Sequence, residues 1–319
     1  MLRFIRHTDY ISCIYKLKKK IAHKFFTLLS PLDIGTIIYI LFSGIFISIA
    51  SSSIDDIWTH FSLRIEIIFL IIILSIFSRK FPHKALLLLK NIYPLFFLNY
   101  FYAETALIKN VIFKTDLDIY FLQIDEWLFG CQPGLEFSKF MTQSWFNESM
   151  FMCYFSYYIL TALVCISIFF EKTEEAHKTI FMIITSFYLY YILYIIIPVV
   201  GPQYHFKVTA YLPNQPYLFG KIMCFLHTME RATGAFPSSH TGMAVIFSYI
   251  FFRHIKKLFF LTLPFVVGIC FATVYLKEHY VIDVLAGMIS APLFILFSSS
   301  IYNKFLSSLP HKDTSTSSF

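Results

Sequence analysis

Apolar residues run through this chain in stretches of about 20, each long enough to cross the roughly 30 Å hydrocarbon core of a bilayer as a helix. The pattern predicts eight transmembrane helices, at 34–50, 61–78, 86–108, 149–170, 179–198, 238–252, 258–276 and 281–302. Two polar connections between them are long, at about 109–148 and 199–237. Residues 1–30 are patterned differently: Arg3, Arg6, Lys16, Lys18, Lys19, Lys20 and Lys24 interleave with Ile, Leu and Phe, which suits a helix lying on an anionic leaflet. Ser48-Ile49-Ala50 has the form of a signal-peptide cleavage site, but the leader before its apolar run is far too long for one. The expected fold is all-α, a polytopic transmembrane helical bundle. It divides into a basic interfacial segment at 1–30, two extra helices at 31–84, a six-helix core at 85–305 and a disordered tail at 306–319.

Composition supports the membrane assignment. Of 319 residues, 57% are hydrophobic and 14% charged, against roughly 25% charged in soluble domains. The formal charge of +7 is not a nucleic-acid surface, because the basic residues sit in short clusters between apolar runs. With the N-terminus inside, the cytoplasmic segments hold 18 of the 26 Lys and Arg, whereas 13 of the 19 acids fall outside or within outer helix ends. Both counts favour cytoplasmic termini. The six cysteines have no metal-ligand spacing, and Cys131 and Cys224 fall in loops on one side, where the sequence permits but does not demand a disulfide.

The charge count also places two histidines on one face, the non-cytoplasmic one. His240 follows Pro237-Ser238-Ser239, where Pro suits a first helical turn and the serines suit a cap. A helix N-terminus there is a ready site for phosphate. The segments 238–252 and 258–276 form an out-and-back hairpin around the basic turn Arg253–Lys257, which returns the chain to His279 at the mouth of the next helix. Asp283 lies four residues on, one turn away, in reach of the imidazole. One reading is a structural His–Asp pair satisfying itself in a bundle. The other is chemical: a carboxylate on one ring nitrogen makes the other more basic, and a second histidine supplies the acid, so a P–O bond breaks through a phosphohistidine without a metal or other cofactor. The outer loop 109–148, with Asp125, Glu126, Trp127 and Trp145, reads as an interfacial helix anchored by Trp.

Gly234-Ala235-Phe236-Pro237-Ser238-Ser239-His240, followed by His279-Tyr280-Val281-Ile282-Asp283, resembles the type 2 phosphatidic acid phosphatase superfamily. With Tyr275–Tyr280 and the preceding Pro198–Pro202, the likeness is nearer to its inositol phosphorylceramide synthase and sphingomyelin synthase branch. It covers about residues 115–300. The resemblance implies a phosphatase-like six-helix core, His279 as nucleophile, Asp283 as its partner and His240 as general acid, with Gly201, Pro202, Ser238 and Ser239 at the phosphate. The chain departs from the phosphatase pattern where that has Lys…Arg-Pro, here Tyr194…Gly201-Pro202, and where that has Ser-Arg, here Ala272-Thr273. Arg231, Lys207, Lys221 and Lys277 are candidates to replace the missing cations.

The expected activity is transfer of a phosphate or phospho-headgroup from a phospholipid or sphingolipid-type donor to an alcohol. A phosphatase using water is the alternative within the fold. A non-catalytic transporter or scaffold is the alternative outside it, disfavoured because the ionisable pair sits at one helix mouth only.

Overall fold

All eight apolar runs are helices in the computed structural model, which describes residues 28–171, 173–205, 217–228 and 232–308. Most of the basic segment 1–30, the candidates Lys207 and Arg231, and the tail from 309 lie outside the described residues. In chain order the helices are α1 (Pro31–Ile49), α2 (Ile57–Lys80), α3 (Lys84–Ile108), α4 (Asp118–Phe129), α5 (Pro133–Phe140), α6 (Ser144–Ile168), α7 (Thr173–Ile196), α8 (Pro202–His205), α9 (Leu218–His227), α10 (Ser239–His254), α11 (Lys256–Tyr275) and α12 (Val281–Ser308). No strand occurs among the described residues. Among the described residues six helices (α1, α2, α6, α7, α11 and α12) are long and apolar enough to cross a membrane, and the chain is an integral membrane protein. Of the other two expected spans, α10 has only 16 residues, about 24 Å of helix, and α3 is interrupted by Lys90, Asn91, Asn99 and Glu104.

Helix α7 is the axis of the bundle, packed against α1, α3, α6, α10 and α12. Its Tyr188, Tyr190, Tyr191 and Tyr194 are buried; the rings of Tyr188, Tyr191 and Tyr194 meet aromatics of α1 and α3, and that of Tyr190 meets Phe294 of α12. Helices α10 and α12 approach very closely where glycines face each other. A Cβ on Gly287 would lie 2.5 Å from the Ser238 carbonyl oxygen, and one on Gly242 would overlap the Tyr190 hydroxyl. Small residues at such crossings let backbones meet, and this one draws together the two helix N-termini that follow the candidate motifs.

Ionisable groups are not confined to one helix mouth, contrary to the sequence reading. On α2, Arg64 grips Glu104 of α3 through two bonds of 2.8 and 2.5 Å, and Ser43 of α1 accepts a third bond from Arg64 at 3.0 Å. His60 Nδ1 lies 2.7 Å from Glu104. Near the other end, Asp33 of α1 accepts from Tyr93 of α3 and Ser75 of α2, with Lys90 Nζ at 3.7 Å. A buried charge is costly unless paired. These groups pair across helices and tie the two extra helices to α3, a relationship that exists only between segments and leaves no mark on any one of them.

Candidate active site

The site forms where three chain turns meet. Ser238 caps α10, its Oγ accepting the Thr241 N–H at 3.2 Å, so Pro237 falls just before the cap rather than in the first turn. His240 is then the second residue of the helix. On the facing side α11 ends in a Schellman cap: Glu278 N–H donates to the Thr273 carbonyl at 2.9 Å and Lys277 N–H to Val274 at 3.0 Å. Lys277 takes the left-handed conformation that this cap requires, with φ 65°. The chain leaves α11 abruptly, His279 N–H also reaches Thr273 at 3.1 Å, and α12 starts two residues later.

This geometry brings His240, His279 and Asp283 together. His279 Nε2 lies 3.5 Å from His240 Nδ1, and His279 Nδ1 lies 3.5 Å from Asp283 Oδ2. The same Asp283 oxygen accepts the Tyr280 N–H at 2.9 Å, so the carboxylate caps its own helix while facing the imidazole. His240 is held from the other side, where Tyr154 Oη lies 3.2 Å from Nε2 and the rings of Tyr154 and Tyr157 flank the imidazole. Burial pushes the His279 ring down to about 4; the charge of Glu278 and a hydrogen bond to the Ala235 backbone oppose this only in part. His279 is therefore a neutral imidazole at neutral pH, its protonation set by burial more than by Asp283.

The two histidines, Ser239, Tyr102, Gln203 and Glu278 line a cavity of about 20 Å³, room for about one water molecule. A phosphoryl group does not fit between imidazole nitrogens 3.5 Å apart.

The other candidates fall into different places. Ser238 lies behind the cavity as a cap. Gly201 has φ 96°, and a Cβ there would lie 2.6 Å from the Glu278 carbonyl oxygen; this is why the position holds no larger residue. Pro202 is buried at the start of α8, and Gln203 beside it donates its N–H to Lys277 at 2.9 Å and its side-chain amide to Glu278 at 2.6 Å. Lys277 is 2% exposed and does not line the cavity; its stem passes Gly134 of α5, and burial pushes its ammonium down to about 8. Lys221, on α9, does not line the cavity either, and Arg231 lies outside the described residues. Among the described lining residues there is no Lys or Arg. Cys131 and Cys224 are both free thiols.

Sequence reasoning missed the main support of the site. The segment 109–148, where an interfacial helix was expected, contains α4, with Trp127 turned outward at 82% exposure. Its inner face carries Asp118, Phe121, Leu122 and Asp125. Asp118 accepts the N–H groups of Val200 and Gly201 at 3.0 and 2.9 Å and the Tyr280 hydroxyl at 2.9 Å. Asp125 accepts the N–H groups of Val281 and Ile282 at 2.9 and 3.2 Å, the open first turn of α12. Burial raises both carboxylates above their usual range, and the bonds they accept pull them back. The available signal was the spacing: Asp118 and Asp125, seven residues apart, share a helix face with the apolar Phe121 and Leu122. Tyr194, the departure from the phosphatase pattern, underlies the Gly234 turn so closely that a Cβ at 234 would overlap its ring, and its hydroxyl accepts the Ser239 N–H at 3.3 Å.

No curated protein and no solved structure matches the chain. A family model described as the PAP2 superfamily matches residues 120–297, a span that runs from α4 through the capped α10, the α11 turn and most of α12. More than half the chain is covered, and it contains every residue of the histidine cluster: the protein belongs to the type 2 phosphatidic acid phosphatase (PAP2) superfamily and is a lipid enzyme of the metal-independent phosphatase type.

Proposed function

We propose that the protein is a lipid phosphotransferase that moves a phosphate or phospho-headgroup from a lipid donor to an alcohol acceptor. The observation that carries the reading is the pair of ring nitrogens, His279 Nε2 and His240 Nδ1, 3.5 Å apart on one cavity. Neutral His279 attacks phosphorus through Nε2, forming an N–P bond as the P–O bond to the leaving group breaks. His240 gives its proton to the departing oxygen. The acceptor hydroxyl then attacks the phosphohistidine, the N–P bond breaks, and His240 takes the hydroxyl proton. Asp283 faces Nδ1 and favours the tautomer that leaves Nε2 free to attack. Water in the acceptor's place gives the phosphatase alternative. The transferase reading is supported by the sequence departures from the phosphatase pattern, Tyr194…Gly201-Pro202 and Ala272-Thr273, in the direction of the synthase branch.

We place this chemistry on the non-cytoplasmic face, from the distribution of Lys and Arg. Cysteines introduced near 236 and 278 would then react with an impermeant reagent in intact cells, and one near 255 would not.

The deciding experiment is purified protein with labelled phospholipid, with and without alcohol acceptors, followed by product identification. Labelled phospho-alcohol formed at the expense of free phosphate supports transfer; hydrolysis alone, unaffected by any acceptor, overturns it. His279→Ala protein that turns over at the parental rate removes the nucleophile assignment.

A further inference from the structure

At the end of the bundle away from the histidines, two cavities adjoin. One, about 280 Å³, lies between the start of α1, the end of α2 and the starts of α3 and α7, and Arg79, Lys90, Asn91 and His177 line it. The other, about 290 Å³, is a groove along α1, α7 and α12 lined almost wholly by apolar side chains, among them Ile38, Leu189 and Phe297. Pro31 and Phe181 belong to both, so a largely apolar chamber that carries Arg79, Lys90, Asn91 and His177 adjoins an apolar slot. Tyr302, in the chamber wall, lies 21 residues along α12 from its first turn, about 30 Å of helix. That is the thickness of a bilayer core, which puts the chamber at the leaflet opposite the histidines.

The charges around the chamber select its occupant. Lys90 is partly balanced by buried Asp33 at 3.7 Å, and Glu174 faces His177 from the first turn of α7, but no acid is among the described residues that line the chamber. Arg79 is exposed, and among the described residues no acid pairs with it. Lys80 and Lys84 lie beside it in sequence and add to the positive rim. The chain's own residues 1–27 precede this site, yet they carry seven Lys and Arg against one acid and are the wrong charge to fill it. A basic chamber continuous with an apolar slot, at the level of headgroups, matches one molecule: an anionic phospholipid, its phosphate on Arg79 and Lys90 and one acyl chain along α1, α7 and α12. We propose that this is a phospholipid-binding site, separate from the catalytic cavity and at the opposite leaflet.

Two substitutions test it without touching the buried clamps. Arg79→Gln removes the exposed cation. Gly35→Leu fills the slot: a Cβ there meets only the Phe181 ring at an ordinary 3.7 Å, and Leu is a better helix former than Gly. Full-length protein in nanodiscs of mixed phosphatidylglycerol and phosphatidylcholine is released into native mass spectrometry. The parent should retain one phosphatidylglycerol in at least fivefold preference. Arg79→Gln should lose that preference, and Gly35→Leu should lose retention of both lipids. Millimolar inorganic phosphate should not displace the lipid, because it lacks the chain. Displacement by phosphate, equal retention of the two lipids by the parent, or retention indifferent to both substitutions overturns the proposal.

Discussion

Asp125 and Val281 stand 156 residues apart in sequence, and the carboxylate of one accepts the backbone N–H of the other at 2.9 Å. Through this bond, and its neighbour to Ile282, the short helix α4 fixes the start of α12, two residues after His279. Hydrogen bonds to a charged group contribute roughly 1.5–3 kcal/mol each. Asp125→Ala should therefore lower stability by about 2 kcal/mol or more and reduce kcat more than it raises KM, since the imidazole loses its position rather than the substrate its contacts. Asp125→Asn, which keeps one acceptor oxygen, should fall between. Thermal unfolding in detergent and steady-state kinetics read both effects. Parental values for Asp125→Ala would remove α4 from the support of the site.

Gly201 should tolerate no side chain. Its φ of 96° is strained for any L residue, and a Cβ would meet the Glu278 carbonyl oxygen at 2.6 Å. Gly201→Ala has to displace the segment between α11 and α12, so activity should fall by at least tenfold even where the protein still inserts. Lys277→Gly makes the opposite prediction. Its φ of 65° sits at the position of a Schellman cap where Gly is usual, so the change should be neutral or stabilising by about 1 kcal/mol. A loss of affinity in Lys277→Gly at unchanged stability would instead mean that the lysine contacts substrate.

The bundle was legible because membrane helices announce themselves one at a time: 20 apolar residues need no partner to be recognised. The histidine cluster was legible for a related reason, since a hairpin of two helices must return to its starting face. What could not be read was pairing across segments. Arg64 and Glu104 each look like an isolated expense in a helix, and only the fold sets them 2.5 Å apart. Asp118 and Asp125 look like the polar face of a surface helix, and their partners are backbone N–H groups, which no sequence distinguishes. Lys277 was one of four candidates to replace the missing phosphate-binding cations, yet it sits in the cap of α11 and does not line the cavity.

The pH dependence of His279 has a definite sign. Burial holds the folded-state ring near 4, below the unfolded value of about 6.5. The neutral, nucleophilic form therefore persists as pH falls from 7 to 5, and with a phosphodiester substrate the acid limb of kcat/KM owed to this residue should lie near pH 4. The unfolded chain binds the extra proton between those two values. The folded protein should accordingly lose up to about 1.4 kcal/mol of stability per unit as pH drops through that window, and His279→Gln should remove that slope. An acid limb at 6.5 that is abolished with His279 would show an imidazole far less desolvated than its burial implies.

Metal-free covalent chemistry makes the sharpest prediction. Among the described residues no cluster of three or more His, Cys, Asp or Glu is arranged to hold a metal ion, and the chemistry assigned to His279 and His240 needs none. Activity should survive EDTA, and vanadate, a phosphate analogue, should inhibit. The intermediate should be a phosphohistidine, labile in acid and stable in base. It should be trapped best in His240→Ala supplied with a donor whose leaving group needs no proton. The first step then proceeds, whereas transfer to the acceptor, which needs His240 to take the hydroxyl proton, slows. His279→Ala should give no such adduct. Asp283→Asn should give it slowly, because the geometry survives and the charge that favours the correct tautomer is lost. Activity abolished by chelation and restored by a divalent ion would overturn the covalent route while leaving the fold and the family untouched.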